Sequence, residues 1–165
     1  MNIRDAAASD LDTIVRIYNE AIPGRRATAD TQPITTADRL DWFAEHDAKS
    51  RPLWVIEVDG VIAGWLSLQS FYGRPAYQAT AEVSIYVSSS YQGRGLGRRL
   101  LQEVIERSGS FGIRTLVGFI FGHNESSLRL FASEGFERWA FLPRVAELDG
   151  IERDLMIVGR RVGES

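Results

Sequence analysis

The chain contains no cysteine. That excludes a disulfide framework, a thiol nucleophile and a cysteine-ligated metal, and no metal site is read from the sequence. No apolar run approaches the roughly 18–20 residues that a membrane-spanning helix needs. The start, Met1–Asp5, lacks the apolar stretch of a secretory leader. A soluble, cytoplasmic protein with no membrane partner is expected, and the absence of cysteine fits that compartment. An excess of positive charge is also missing. Lys and Arg total 19 against 22 Asp and Glu, for a net charge of -3. A duplex binder needs a basic face, so nucleic acid is not the expected partner. There is no internal repeat, no low-complexity segment and no long linker. With 44% hydrophobic and 25% charged residues the balance is that of an ordinary globular chain, and residues 1–165 are expected to form a single domain.

What is present is a sequence of short, well-punctuated elements. Asn2–Asp5 reads as a strand. Ser9 is placed to cap a helix with Leu11, Ile14, Val15, Tyr18 and Ile22 on one face, stopped by Pro23-Gly24. Residues 25–35 are polar and aperiodic, a loop of functional length. Thr36 is placed to cap a second helix carrying Leu40, Trp42 and Phe43. Trp54–Val58 and Val61–Leu68 read as strands joined by Asp59-Gly60, which suits a two-residue turn with both residues at positive φ. After a loop from Phe71 to Gln78, Ala81–Val87 alternates as a strand. A helix follows to about Ser108, with Leu96, Leu100, Leu101, Val104 and Ile105 on its inner face. Thr115–Phe121 is nearly all apolar and reads as a strand buried on both faces. Asn124 is placed to cap a last helix, Gly135 to end it with Phe136 folding back, and a final strand pair surrounds Asp149-Gly150. Hairpins beside strand–helix–strand units imply an α/β fold with a mixed, mostly antiparallel sheet and helices packed on it.

The stretch Gln92-Gly93-Arg94-Gly95-Leu96-Gly97 lies between a strand and a helix. Backbone N–H groups opening a helix have no intrahelical partner and sit at the positive end of its dipole, so such a turn is a ready phosphate site. It is not a dinucleotide fingerprint: the glycines alternate, and no acid follows at the required distance. It is not a P-loop, which needs Gly-Lys-Ser/Thr. Glycines required only for packing at the helix start are the alternative reading.

Gln92–Gly97 resembles the Gln/Arg-x-x-Gly-x-Gly/Ala motif of the GNAT (GCN5-related) N-acetyltransferases, and the order of elements resembles that fold to about Val158. Three further pieces resemble the phosphinothricin acetyltransferase-like branch: Ile17–Ala21, Ala81–Val87, and Asn124–Leu128 with Gly135-Phe136. The resemblance implies acetyl-CoA as acetyl donor. It implies that the backbone of Ile85, Tyr86 and Val87 meets the pantetheine arm. The amides from Gly93 through Arg94, Gly95, Leu96 and Gly97 to Arg98 would hold the pyrophosphate, and Gln92 leads the motif. Arg94, Arg98 or Arg99 would add charge. Asn124, with Ser127 beside it, would bind the pantetheine arm. The family often forms dimers, so a homodimer stays open.

Acetyl transfer to an amine needs a proton acceptor and a stabilised thioester oxygen. Alternation puts Glu82, Ser84 and Tyr86 on one face and Ala81, Val83, Ile85 and Val87 on the other, unless a bulge shifts the register by one. The branch carries an acid at the Glu82 position, which makes Glu82 the candidate base and substrate contact. A solvated or arginine-paired Glu82 is the competing reading. A strand N–H near Ile85 would stabilise the oxygen. Many relatives carry a tyrosine that protonates the leaving thiolate, but here that position is Phe131. Ser127, Tyr86 and His123 are other candidate donors. Arg74 and Tyr77, in the loop before the Glu82 strand, are candidate substrate contacts, Arg74 through a carboxylate fork. Residues 28–33 correspond to a second substrate loop, and Trp42 and Trp65 read as core.

One departure bears on the acceptor. Branch members typically end in Val-Gly-x-Lys-x-Gly-x-Trp-x-Asp, whereas this chain has Val145–Asp154 with neither the lysine nor the tryptophan. The expected acceptor is the primary amine of a small amino acid or amino-acid analogue of the phosphinothricin and methionine sulfoximine kind. It would be acetylated directly in a ternary complex, since no cysteine can carry the acyl group. Polyamines, aminosugars and protein N-termini are alternatives, as is an acyl-CoA-sensing module without turnover.

Overall fold

Residues 1–163, which the computed structural model describes, form seven strands and four helices. The strands are β1 (Asn2–Asp5), β2 (Leu53–Val58), β3 (Val61–Ser70), β4 (Thr80–Val87), β5 (Thr115–Phe121), β6 (Glu137–Leu148) and β7 (Ile151–Arg161). The helices are α1 (Leu11–Ala21), α2 (Leu40–Ala44), α3 (Leu96–Arg107) and α4 (Glu125–Ser133). The strands make one sheet in the order β1-β2-β3-β4-β5-β7-β6. Every neighbouring pair is antiparallel except β4–β5.

Two cores flank this sheet because β2 and β3 bury side chains on both of its faces. On one face Leu96, Leu100, Leu101 and Val104 of α3 and Phe131 of α4 pack against Trp54, Leu66, Leu68, Ala81 and Val83. On the other, Ile14, Ile17 and Tyr18 of α1 pack against Leu53, Val55 and Trp65. The alternation expected in β4 holds. Its ladder with β3 runs without irregularity from Ser70↔Ala81 to Gly64↔Val87. Asp59 and Gly60 take φ 51° and 78°, and Asp149 and Gly150 take 54° and 79°, the positive values that both two-residue turns require. β6 lies at the sheet edge, and its register shifts on either side of Ala140–Leu142, with Pro143 in the second irregularity, between Leu142 and Ala146.

Several helix starts differ from the sequence reading. Ser9 lies inside a 3₁₀ turn, Ala8–Asp10, and caps nothing. The Asp10 carboxylate closes that turn instead, accepting from the Ala7 amide at 2.7 Å while it pairs with Arg4. Thr36 likewise makes no cap; its hydroxyl donates to Asp12 at 2.6 Å. Thr35 and Asp38 bond each other's amides through their side chains, ahead of a 3₁₀ turn that leads into α2. The Phe71–Gln78 loop contains a 3₁₀ turn at Pro75–Tyr77. Asn124 does cap α4, accepting from the Ser127 amide at 3.3 Å. Gly135, at φ 87°, ends it, with the Phe136 amide donating back to Phe131. β5 is buried on both faces except at Phe119, which is 39% exposed. Trp65 is core, whereas Trp42 is half-buried against it.

Candidate active site

The site begins where two parallel strands part. β4 and β5 pair at Thr80↔Thr115, Ala81↔Leu116 and Glu82↔Val117 and no further. Beyond Glu82, the β4 edge that faces β5 carries N–H and C=O groups with no ladder partner, a template for another extended chain. Between the parted strands lies a cleft of about 430 Å³, within the range of small-molecule sites. Its walls are Glu82 to Tyr86 from β4, Phe119 to Phe121 from β5, Asn124 and Ser127 from α4, and Arg26 to Ala29 from the loop after α1.

Glu82 stands at the vertex of this opening. Its carboxyl is half-buried, and among the described residues it has neither an ion-pair nor a hydrogen-bond partner. Burial alone pushes its pKa above the usual carboxylate range. An unpaired carboxylate of raised basicity facing a cleft is suited to accept a proton. Ser84 and Tyr86 follow on the same wall. Tyr86 is not a free donor: its ring stacks on Trp65 at 4.8 Å, and its hydroxyl donates to the Ala27 carbonyl at 2.9 Å.

The glycine turn stands at the C-terminal end of β4, outside the cleft lining. Gln92 fixes its start by donating to the Val87 carbonyl at 2.8 Å. Gly93 and Gly95 take φ 76° and 77°, and a Cβ at either would meet nothing within 4 Å. The space beside both residues is therefore an open cradle that a side chain would fill. The first turn-to-helix bond runs from the Arg99 amide to the Gly95 carbonyl, so the amides of Leu96, Gly97 and Arg98 open the helix without intrahelical partners. Gly97 serves packing as well: its Cβ would come within 3.3 Å of Leu130 on α4. Arg94 lies over the Tyr91 ring at 5.0 Å, Arg98 is 3.5 Å from Glu134, and Arg99 pairs with Glu103. The cradle and its free amides fit a pyrophosphate, and the open β4 edge at Ile85–Val87 fits an amide-bearing arm.

Asn124 and Ser127 reach the cleft, as their sequence positions imply. The Asn124 Oδ1 is used by the cap, and its Nδ2 donates to the Arg26 carbonyl at 3.3 Å, which leaves one N–H for a ligand. Phe131 also lines the cleft and offers no proton. His123 is engaged by the Arg25 carbonyl at 2.6 Å. Arg74 and Tyr77 are not in the lining. They stand on the exposed β3–β4 loop, where Tyr77 and Phe71 meet edge to face at 5.7 Å and Phe71 approaches Phe119 at 6.5 Å. The apolar wall of Phe119, Phe121 and Leu155 is not expected as site from sequence, where Thr115–Phe121 reads as a strand buried on both faces and Leu155 carries no site signal.

The chain as a whole is similar to known proteins. Residues 11–136 fit the acetyltransferase (GNAT) family. The chain belongs to the GNAT acetyltransferase family. It is 49% identical over 163 residues to the YwnH protein of Bacillus subtilis (strain 168), covering 98% of this chain and 99% of that one. The name of YwnH as a phosphinothricin acetyltransferase is provisional. It is 32% identical over 164 residues to the L-methionine sulfoximine/L-methionine sulfone acetyltransferase of Salmonella typhimurium, covering 99% and 96% of the two chains. A solved structure of a phosphinothricin acetyltransferase from Sinorhizobium meliloti in complex with acetyl-CoA superimposes with a TM-score of 0.91 at 30% identity, over 98% of this chain and 88% of that one. The family is thus shown for this chain: an N-acetyltransferase on a mixed, mostly antiparallel sheet with helices on both faces, whose described helices include none long and apolar enough to cross a membrane.

Proposed function

We propose that this acetyltransferase moves the acetyl group of acetyl-CoA onto the primary amine of a small amino acid or amino-acid analogue, by direct attack in a ternary complex. The observation that carries this is the unpaired Glu82 carboxyl at the point where β4 and β5 part, beside an open strand edge. Acetyl-CoA supplies an activated thioester carbonyl. The amides of Gly93–Arg98 hold its pyrophosphate, the β4 edge at Ile85–Val87 and the Asn124 amide hold its pantetheine arm, and Ser127 lines the same wall. Glu82, directly or through one water, takes the proton that the attacking amine loses. A backbone N–H of the open edge near Ile85 donates to the thioester oxygen as charge develops there. The sulfur then leaves and takes its proton from solvent, since Phe131 has none to give.

The relatives support the acceptor class. The Salmonella enzyme is named for methionine sulfoximine and methionine sulfone, and the Sinorhizobium one for phosphinothricin, all of them amino-acid analogues. Tyr77 meets Phe71, which approaches Phe119 of the cleft wall, and on this reading Tyr77 and Arg74 of the same loop meet the far end of such a molecule. The test is acetyl-CoA-dependent thiol release with a panel of amino acids, these analogues, polyamines and peptides. Saturable release with the amino-acid class is expected. Release with polyamines or peptides alone overturns the acceptor class, and acetyl-CoA binding without release overturns transfer in favour of a sensing role.

A further inference from the structure

The loop after α1 is strapped across the opening by consecutive bonds from both of its sides. The Arg25 carbonyl accepts from His123 Nε2 at 2.6 Å and the Arg26 carbonyl from Asn124 Nδ2 at 3.3 Å, both from the β5–α4 side. The next carbonyl, of Ala27, accepts from the Tyr86 hydroxyl at 2.9 Å, from the β4 side. The fourth residue, Thr28, is buried, and its hydroxyl meets that of Tyr18. Proton counting fixes the direction of this last contact. Tyr18 spends its only proton on the Asp30 carboxylate, so Thr28 donates to Tyr18 while accepting from the Asp30 amide at 3.1 Å. Residues 26–29, held in this way, line the same cleft as Glu82 and Ser84.

We propose that Tyr86 is a positioning residue for the acceptor amine: its hydroxyl sets where the wall formed by Arg26–Ala29 stands relative to Glu82. Among the donors at these carbonyls, Tyr86 is held by aromatic rings on two sides. Its ring is stacked on Trp65 at 4.8 Å and met edge-on by Tyr18 at 5.1 Å, so the hydroxyl has one place to be. It also stands on the same strand and the same face as Glu82 and Ser84. Wall and base are thereby referenced to one rigid element, as a reaction sensitive to ångström-scale placement requires. Burial raises the phenol well above its usual range, so it remains a donor wherever the enzyme works. The two ends of the strap face different ligands. Asn124 and the backbone edge of Ile85–Val87 belong to the side read above as gripping pantetheine, whereas the Tyr86 side chain projects from the face it shares with Glu82 and Ser84, the side read as facing the acceptor. This assignment rests on the transfer reading given under Proposed function.

Tyr86→Phe keeps the stacked ring and removes the bond. Its kcat/KM for the acceptor should fall by about 10- to 100-fold, carried mainly by KM, with the dissociation constant of acetyl-CoA within about twofold of the parent. Backbone amides of residues 26–30 should exchange faster with deuterium, and those of β3 and α3 should not. Thr28→Val, which frees the same wall from Tyr18, should show the same split. An unchanged acceptor kcat/KM, or an equal loss of acetyl-CoA affinity, overturns the proposal. So does unchanged exchange at residues 26–30, a readout that needs no turnover. If the parent itself releases no thiol with any amine, it is the transfer reading that has failed, and exchange still decides whether Tyr86 is the latch.

Discussion

Glu82 is the last residue of β4 in register with β5, opposite Val117. On the side of β4 that faces β5, the residues N-terminal to it are closed ladder and those C-terminal are open edge, while the β3 side stays paired throughout. The carboxylate therefore stands where a ligand lying in the opening would end. Glu82→Gln keeps the shape and removes the base. Turnover should fall by about 100-fold or more, with acetyl-CoA affinity nearly unchanged by calorimetry. Because burial raises this carboxyl, the parent enzyme should gain activity with rising pH through a step above the usual carboxylate range. Below that step the group is protonated and cannot act as a base. The glutamine variant should lack the step. Parent-like turnover in the variant would remove Glu82 from the role.

Gly95 tests the phosphate cradle. Its φ of 77° is left-handed, and nothing lies within 4 Å of the Cβ it lacks. A substitution there meets strain rather than a clash, on the order of 1–2 kcal/mol. A domain of this size should survive that, yet the new side chain would stand in the cradle. Gly95→Val should therefore remain folded by circular dichroism and lose measurable acetyl-CoA binding. A folded variant that binds like the parent would move the pyrophosphate elsewhere.

The strands and their turns were legible because their signals are local. Asn2–Asp5 and Thr115–Phe121 are strands over the residues expected, and both Asp-Gly turns take the positive φ that the dipeptide implies. Asn124 and Gly135 are likewise legible, since a cap and a stop act on their own helix. What escaped is what depends on distant residues. Ser9 looks like a cap until Arg4 from β1 draws Asp10 into closing the turn. Tyr86 reads as a strand residue and a candidate proton donor, and only the fold brings Ala27, 59 positions away, under its hydroxyl. Phe119 and Phe121 look like core by residue type; Phe121 is indeed buried, Phe119 is 39% exposed, and both line the cleft where β4 and β5 part. The parting of the strands has no sequence marker of its own here beyond the family resemblance. Arg74 was an attractive carboxylate partner by residue type, and the structure places it on the exposed β3–β4 loop outside the cleft lining.

Gly159 shows a packing constraint of a different kind. It pairs with Val117 on one side, and on the other its face is covered by the Trp139 ring, where a Cβ would lie 2.0 Å from Cε3. Trp139 occupies the irregularity in β6 between Arg138 and Ala140 and is 46% exposed. Gly159→Ala should push the indole off the sheet. A loss of about 1–3 kcal/mol in denaturant unfolding is expected, the usual cost of overfilling a packed site. Tryptophan emission should shift to the red, because Trp54 and Trp65 are buried and Trp139 is the ring that moves. An unshifted spectrum with parent stability would mean that β6 slides to accommodate the methyl.

His46 predicts how stability responds to acid. Its Nδ1 lies 2.8 Å from the Trp42 carbonyl, which can only accept, so that nitrogen carries the proton. Its Nε2 then accepts from the buried Ser67 hydroxyl at 2.7 Å. Both nitrogens are committed to the neutral ring, and burial lowers the pKa, outweighing the opposing pull of the Trp42 and Phe43 carbonyls and of the neighbouring Glu45 charge. The unfolded chain takes up this proton near the ordinary value of about 6.5. Between there and the lower folded value, the unfolded state binds more protons than the folded one, so stability must fall as pH falls. The contribution is up to ~1.4 kcal/mol per pH unit across that window and levels off below the folded value. His46→Gln cannot titrate. It should be less stable than the parent at neutral pH, having lost the Ser67 and Trp42 bonds, but its stability should decline less steeply from pH 6.5 downward. Urea unfolding at a series of pH values measures both. Parallel declines in the two proteins would assign the acid sensitivity to carboxylates such as Asp10, whose pKa its bond to Arg4 lowers, and not to this histidine.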